Sequence, residues 1–286
     1  MYPELLHLGP FVIHTYGFFF ALAILAGITL AEHLHRRDGG QPGTFADLGL
    51  IVIIGVLIGA RTLFIIVNWK YFLDNPAEIP MIWRGGLVFY GGLIGGALAF
   101  IAAVRLKGLQ LWRSVDTLAP ALALGHAIGR LGCFFAGSCY GKPTDLPWAV
   151  TYTDPRSLAG DMLDVPVHPT QLYSSAALLV LTVVLMKVRS RKVFDGQVAA
   201  LYGLLYGTWR FFIEFLRGDP RGAVTVFDLT LSTSQIVSLF LVPLSVAGFL
   251  VLRRKGLGIP GKKVPIGQES AVNLPSVQSP KPKAQN

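Results

Sequence analysis

Seven long apolar stretches dominate this sequence and restrict its fold more than any other feature. Each stretch has about 20 residues, which is the length that a helix needs to cross the roughly 30 Å hydrocarbon core of a bilayer. With 52% hydrophobic and only 14% charged residues, the chain has the composition of a membrane protein and not of a soluble domain. We therefore expect an all-α, polytopic bundle of about seven transmembrane helices, at about 11–32, 46–69, 86–105, 115–136, 170–188, 197–216 and 232–252.

Two segments fall outside this pattern of spans. Residues 142–168 are polar and rich in proline and aspartate, and they are too many for an ordinary helix–helix connection. We expect them to form a small periplasmic or extracellular element. Residues 256–286 are rich in proline, glycine, serine and lysine, a composition typical of disorder. The sequence thus predicts one membrane domain over 1–255 and a disordered basic cytoplasmic tail over 256–286.

Basic residues are distributed unequally between the two sides of the predicted bundle. Sixteen of the 25 Lys and Arg residues lie in the turns after the first, third and fifth helices and in the tail, whereas six lie on the other side. Basic loops stay in the cytoplasm, so the N-terminus is expected outside and the C-terminus inside. The basic residues that give the chain its net charge of +9 thus lie mainly where membrane topology requires them. We therefore expect no nucleic-acid partner.

The sixth apolar stretch contains charged residues that a lipid-facing helix would not tolerate. Arg210, Glu214 and Arg217 follow one another at helical spacing and share one helix face. A charge at the centre of a membrane helix costs at least ~2.5–3.5 kcal/mol, so such residues face a partner or a wet cavity. Two arginines against one carboxylate suit an anionic lipid headgroup, because a guanidinium group binds phosphate oxygens through two parallel hydrogen bonds. The alternative is a salt bridge between helices, with Arg217 extending to the interface.

Other polar side chains occur at membrane depth or at the ends of the spans. Arg130 lies among small residues in the fourth span, and Tyr90 lies between two glycine pairs at the start of the third. The remaining candidates lie near the outer ends of the first and fifth spans: His14, Tyr16, His168, Gln171 and Tyr173. Each also has a plain structural explanation, as a packing residue, an interfacial aromatic or a structural ion pair.

The two cysteines, Cys133 and Cys139, are too few for a disulfide framework and match no zinc-binding or CxxC spacing. A continuous helix through them would hold them too far apart to form a disulfide. The residues also suggest no metal site and no cofactor.

Taken together, these motifs resemble one family, the phosphatidylglycerol–prolipoprotein diacylglyceryl transferases of bacterial inner membranes. The resemblance runs from about His14 to Leu252. It is carried by His14-Thr15-Tyr16-Gly17, the glycine-rich start of the third helix, Gly129-Arg130-Leu131-Gly132, His168-Pro169-Thr170-Gln171-Leu172-Tyr173, and the segment from Arg210 through Glu214 to Arg217. Each motif is weak alone, but five in the right order on seven spans are specific.

The resemblance implies an enzyme that moves diacylglyceryl from phosphatidylglycerol to the thiol of a lipobox cysteine and releases glycerol phosphate. It implies phosphatidylglycerol and prolipoprotein signal peptides as partners, a multi-pass inner-membrane location, a transferase domain over 1–255 and, in our interpretation, a monomer. The catalytic residues that it implies are Arg130, Arg210, Glu214 and Tyr90. The substrate-binding residues that it implies are Arg130, Tyr16, His14, Arg217, His168, Gln171 and Tyr173.

The chain departs from the family pattern at four positions, where the family usually has His, Asn, Glu and Glu: Tyr90, Cys133, Ser138 and Ser174. The arginines are kept, but the usual base is replaced by Tyr90, a phenol with an ordinary pKa near ~10. The departures leave three alternatives open. The first is a divergent relative that still binds the lipid but uses another acceptor, with Cys133 or Cys139 involved. The second is a lipid-binding protein without catalysis. The third is a transporter, which would have internal repeats, and the sequence shows no convincing one.

Overall fold

The computed structural model of this protein describes residues 3–8, 11–219, 222–226 and 229–256. The tail predicted to be disordered, 256–286, therefore lies outside the described residues except for Gly256.

Within the described residues, six helices are long and apolar enough to cross a membrane. Numbered in chain order together with two shorter ones, the helices are α1 (Thr15–Arg37), α2 (Thr44–Val67), α3 (Trp69–Asp74), α4 (Phe89–Leu106), α5 (Leu111–Ala136), α6 (Thr170–Arg189), α7 (Gln197–Ile213) and α8 (Thr233–Lys255). The stretch predicted as the sixth span forms α7, which has 17 residues and continues into one 3-10 turn over Glu214–Leu216. The prediction of a polytopic helical membrane protein is confirmed.

Within the described residues, three short pairs of antiparallel strands accompany the helices. They are β1 (Glu4–Leu8) with β2 (Phe11–His14), β3 (Val150–Thr151) with β4 (Pro166–Val167), and β5 (Ala223–Val226) with β6 (Leu229–Ser232). They lie at the start of α1, after α5 and after α7, which is one end of the bundle, here called the loop-rich end. The opposite end has short turns at 38–43, 107–110 and 190–196.

Two helices begin later than the sequence predicted. The first was expected from residue 11, but 11–14 form β2, in which His14 is opposite Glu4. The third was expected from residue 86, but Gly85 and Gly86 have φ of 83° and 73°, a left-handed conformation that stops a helix from extending backwards. Both differences arise at the loop-rich end, where apolar sequence continues past the helix.

Small residues bring the helices into close contact. At the seam between α2 and α4, a Cβ atom on Gly59 would lie 2.3 Å from the carbonyl oxygen of Gly91. A Cβ atom on Gly95 would lie 2.3 Å from the carbonyl oxygen of Gly55. Such contacts allow helix backbones to pack directly in a membrane. Helix packing therefore explains Gly91 as well as Gly95 in the glycine-rich motif.

A fully buried carboxylate fixes α7 against α5 at the short-turn end. Asp116 of α5 accepts hydrogen bonds from the backbone N–H groups of Gly196, Val198 and Ala199, at 2.9–3.0 Å. It also pairs with Lys192 at 2.9 Å. The first N–H groups of a helix have no partner within it, so Asp116 caps α7 from a neighbouring helix. This cap sets the position of α7 along α5, and with it the position of the charged residues further along α7.

Candidate functional site

The site is built on one face of α5 and the facing side of α7, which both run toward the loop-rich end. The ring of His126 on α5 contacts the ring of Tyr206 on α7, with centroids 5.2 Å apart. One helical turn closer to the loop-rich end, Arg130 follows His126 and Arg210 follows Tyr206. The two arginines interact electrostatically. The parallel helices thus bring together the two arginines that the sequence placed in different motifs.

A buried ion-pair cluster continues from Arg210 toward the loop-rich end. Arg210, Glu214 and Arg217 are only 9%, 8% and 7% exposed. One guanidinium nitrogen of Arg210 donates to the Glu214 carboxylate, and Nη2 donates to Oγ of Ser234 on α8 at 2.6 Å. Nε of Arg217 lies 3.9 Å from Oε2 of Glu214. The predicted convergence of these three side chains is present, with Glu214 between the two arginines.

A second carboxylate completes this cluster. Nε and Nη2 of Arg217 each donate to a carboxylate oxygen of Asp219 at 2.9 Å. Among the described residues, the cluster thus contains three guanidinium groups and two carboxylates, Glu214 and Asp219. The imbalance falls on Arg130, whose Nε is buried without a hydrogen-bond partner among the described residues. A buried charged donor without a partner is costly, so the cluster is suited to receive an additional anion.

The surface of α5 next to Arg130 is open at a glycine. A Cβ atom built on Gly129 would meet no other atom within 4 Å. By contrast, a Cβ atom on Gly132 would lie 3.0 Å from Cβ of Phe19 and 3.4 Å from the carbonyl oxygen of Tyr16. Gly132 therefore serves the packing of α1 on α5. Gly129 leaves open room next to Arg130.

A chain reversal after α5 brings the two cysteines together. The helix ends at Ala136, and Gly137 and Cys139 both have left-handed backbones, with φ of 77° and 66°. The sulfur atoms of Cys133 and Cys139 are consequently hydrogen-bonded to each other, and no disulfide joins them. The prediction that no disulfide forms is therefore confirmed, although the two residues are close in space because the helix stops between them. The hydrogen bond from Cys133 and the nearby guanidinium of Arg217 hold the pKa of Cys139 well below its ordinary value.

Strand-like pairing holds Arg217 beside this reversal. The N–H of Lys142 donates to the carbonyl of Leu216 at 2.8 Å, and the N–H of Gly218 donates to the carbonyl of Tyr140 at 3.1 Å. A Cβ atom on Gly218 would lie 2.5 Å from the carbonyl oxygen of Gly141. Only glycine fits at this crossing, so the segments after α5 and α7 can pair closely enough to place Arg217 at Cys139.

The predicted substrate-binding residues of the fifth span lie just behind the reversal. Gln171 is 1% exposed, and its Nε2 donates to the carbonyl of Ser138 at 2.7 Å and to the hydroxyl of Tyr152 at 3.0 Å. The hydroxyl of Thr170 donates to the carbonyl of Cys139 at 2.9 Å. These side chains hold the loop that carries Cys139, which is a supporting role that the sequence did not reveal.

Tyr173 and His168 form a separate group at the surface of the same loop. The hydroxyl of Tyr173 accepts a hydrogen bond from Nε1 of Trp148 at 2.7 Å and lies 3.5 Å from Nδ1 of His168. The indole ring of Trp148 is 57% exposed at this point. The group therefore lies at the boundary of the 142–168 element and is partly accessible from outside it.

The three candidates from the first and third spans differ in position. Tyr16, in the first turn of α1, is about half exposed and interacts electrostatically with Arg130 and Cys139. His14 is exposed in β2, directly before α1. Tyr90 is 48% exposed in the first turn of α4, its ring contact is with Phe89, and α4 packs mainly on α2. The structure brings Tyr16 to the arginines but leaves His14 and Tyr90 at the periphery.

Sequence reasoning missed three residues of the site: His126, Asp219 and Ser234. His126 could have been found, because it precedes Arg130 by one helical turn and so shares its face. Asp219 follows Arg217 by two residues outside any helix, and Ser234 belongs to α8. No periodicity in the sequence links either of them to the arginines.

The sequence profile of one family, described as prolipoprotein diacylglyceryl transferase, matches residues 3–251. The chain belongs to this family. The match extends from β1 to α8 and includes every residue of the site. Among curated members, a phosphatidylglycerol–prolipoprotein diacylglyceryl transferase of Clostridium tetani is 37% identical over 253 residues, covering 88% of this chain and 98% of its own.

Two further members of the family come from distant bacteria and have the same name. The protein from Synechococcus elongatus is 34% identical over 87% of this chain and 86% of its own. The protein from Bordetella avium is 37% identical over 83% of this chain and 89% of its own. The similarity to these three relatives therefore covers 83–88% of this chain.

Proposed function

We propose that this chain transfers diacylglyceryl from phosphatidylglycerol to the thiol of a lipobox cysteine in prolipoproteins, and so releases glycerol phosphate. The observation that carries the proposal is the charge imbalance in the membrane, where Arg130 has a buried, unpartnered Nε beside the cluster of Arg210 and Arg217. Membership of the transferase family names an anionic lipid that would supply the missing charge.

In the reaction that we propose, a thiolate sulfur forms a bond to a glyceryl carbon of the lipid. The bond between that carbon and the phosphate oxygen breaks, and glycerol phosphate leaves with the electron pair. Negative charge grows on the phosphate as it leaves, so guanidinium groups fixed around it stabilise the transition state. Arg130 and Arg210 are the proposed catalytic cations. Glu214 holds Arg210 in place through their ion pair.

The other predicted residues have binding or supporting roles in this proposal. Arg217 and Tyr16 complete the headgroup site, and His14 and Tyr90 border the route by which substrate enters. Gln171 supports the loop that carries Cys139, and this is the role that its hydrogen bonds favour. His168 and Tyr173, at the boundary of the 142–168 element, would contact the signal peptide.

We further propose that the protein is a monomer in the bacterial inner membrane, with residues 1–255 as its transferase domain, the N-terminus outside and the C-terminus inside. The basic short-turn end would then face the cytoplasm. The arginine cluster and the loop-rich end would face outward, where the signal peptide of an exported prolipoprotein arrives.

Substitution of Arg130 tests the proposed function. The Arg130→Ala variant should lose at least 100-fold in transfer and should bind phosphatidylglycerol more weakly, because the unpartnered donor is removed. Arg130→Lys should restore little, since an ammonium group lacks the two-pronged geometry of guanidinium. Transfer is measured by mass spectrometry of a lipobox peptide incubated with the purified protein and phosphatidylglycerol. Arg84→Ala, on an exposed arginine paired with Glu78, is the matched control and should keep full activity. Full activity in Arg130→Ala would contradict the proposal.

A further inference from the structure

The proposed reaction needs a group that removes the proton from the acceptor thiol. The thiolate is the nucleophile, and an ordinary thiol with a pKa near ~8.5 is mostly protonated at neutral pH. Tyr90, the residue at the position of the family's usual base, lies on α4 at the periphery of the site and has a phenol side chain. The proton acceptor must therefore be sought among the residues that surround the arginines.

The two carboxylates of the cluster are poorly suited to this task. Glu214 is the partner of Arg210 and lies next to Arg217, and Asp219 accepts two hydrogen bonds from Arg217. Protonation of either carboxylate would leave buried guanidinium groups without a counter-charge, which is costly at this depth. The Cys139 sulfur is likewise engaged, since it interacts with both Cys133 and Arg217. These groups hold the arginines and cannot give up that role in each turnover.

His126 has the chemistry that the others lack. It lies on the same face of α5 as Arg130, one turn away, and interacts electrostatically with both Arg130 and Arg210. Its ring contacts Tyr206, which in turn stacks on Tyr202 with centroids 5.6 Å apart and planes inclined by 11°. The aromatic pair fixes the ring beside the place where the phosphate would bind. A neutral imidazole has one acceptor nitrogen, which can take up a proton.

We infer that His126 is the catalytic proton acceptor of this chain, an inference that rests on the proposed function. An imidazole nitrogen takes the proton from the acceptor S–H group, and the resulting thiolate forms the S–C bond while the C–O bond to phosphate breaks. The departing glycerol phosphate, or water, then takes the proton from the imidazolium. A protonated His126 would be the third cation beside Arg130 and Arg210, so the bound lipid phosphate is needed to offset it. The base is thereby coupled to the presence of the lipid.

The test compares pH profiles of transfer by the wild-type protein and by His126→Phe, which keeps a ring against Tyr206 but has no nitrogen. The variant should lose about 100-fold or more in kcat at pH 7, the usual contribution of a general base, with little change in KM for phosphatidylglycerol. Its remaining rate should rise about tenfold per pH unit up to the pKa of the acceptor thiol, near ~8.5, because only the ionised acceptor then reacts. The wild-type rate should level off at lower pH. His33→Phe, on the exposed His33 at the other end of α1, should leave rate and profile unchanged.

Three results would overturn the inference while leaving the proposed function intact. The first is an unchanged rate in His126→Phe, and the second is a loss of rate in this variant that has the same size at every pH. The third is a tenfold rise in rate per pH unit in Tyr90→Phe and not in His126→Phe. A second variant, His126→Gln, gives the same readouts if the phenylalanine variant fails to fold. Absence of transfer by the wild-type protein would contradict the proposed function itself, and this inference with it.

Discussion

Replacement of Asp116 by alanine should destabilise the protein by about 3–5 kcal/mol, the range for breaking a buried charged network. The size follows from the partners of the carboxylate. Three backbone N–H groups at the start of α7 lose their acceptor. Each buried unsatisfied donor costs roughly 1–3 kcal/mol. Water that enters from the nearby end of the bundle would reduce the sum. Lys192 adds little to the loss, because it keeps its ion pair with Asp195 at 2.6 Å.

The assay is unfolding of the purified protein in lipid nanodiscs, followed by the fluorescence of its tryptophans. Asp47→Ala is the matched control, since Asp47 lies at the same end of the bundle and is 63% exposed in its pair with Lys107. An exposed pair contributes only about 0–1 kcal/mol. The Asp116→Ala variant should also lose transferase activity, because a displaced α7 moves Arg210 away from Arg130. A loss of stability no larger than that of Asp47→Ala would refute the reasoning.

Three further predictions concern the cluster, the loop crossing and the topology. Glu214→Gln should lower both stability and transfer, with a loss of about 3–5 kcal/mol in unfolding experiments, because two buried arginines lose their shared counter-charge. Gly218→Ala should abolish transfer, because its Cβ atom would collide with a backbone carbonyl. Gly129→Ala has room for its Cβ atom and should fold normally. It should differ from the wild-type protein only in lipid affinity, as measured by titration with phosphatidylglycerol. Reporter fusions at Lys192 and Arg156 should show cytoplasmic and external positions respectively, and the same compartment for both would refute the proposed orientation.

Much of the helical architecture could be predicted because it depends on local sequence. A run of about 20 apolar residues is sufficient to identify a membrane helix. The predicted third and fourth spans accordingly end at or within one residue of α4 and α5. The errors occurred where a turn or a strand interrupts apolar sequence. Residues 11–14 are apolar enough to continue α1, and only their pairing with β1 shows that they do not.

The site was predicted in part, and the limit is again physical. Charges on one helix, such as Arg210 and Glu214, are related by helical periodicity, so their contact could be expected. Contacts between helices depend on axial registration, which is set here by the buried Asp116 and by the backbone pairing at Gly218. The contact between Cys133 and Cys139 depends on a left-handed turn at a residue other than glycine, for which the sequence has no signal.

The most direct test of the central claim is mass spectrometry of a lipobox peptide incubated with the purified protein and phosphatidylglycerol whose glycerol headgroup is isotopically labelled. The peptide should gain the mass of one diacylglyceryl group on its cysteine, and the label should appear in free glycerol phosphate at equal amount. Arg130→Ala should form neither product. An unmodified peptide with the wild-type protein, or a modified peptide with the label still attached, would contradict the account.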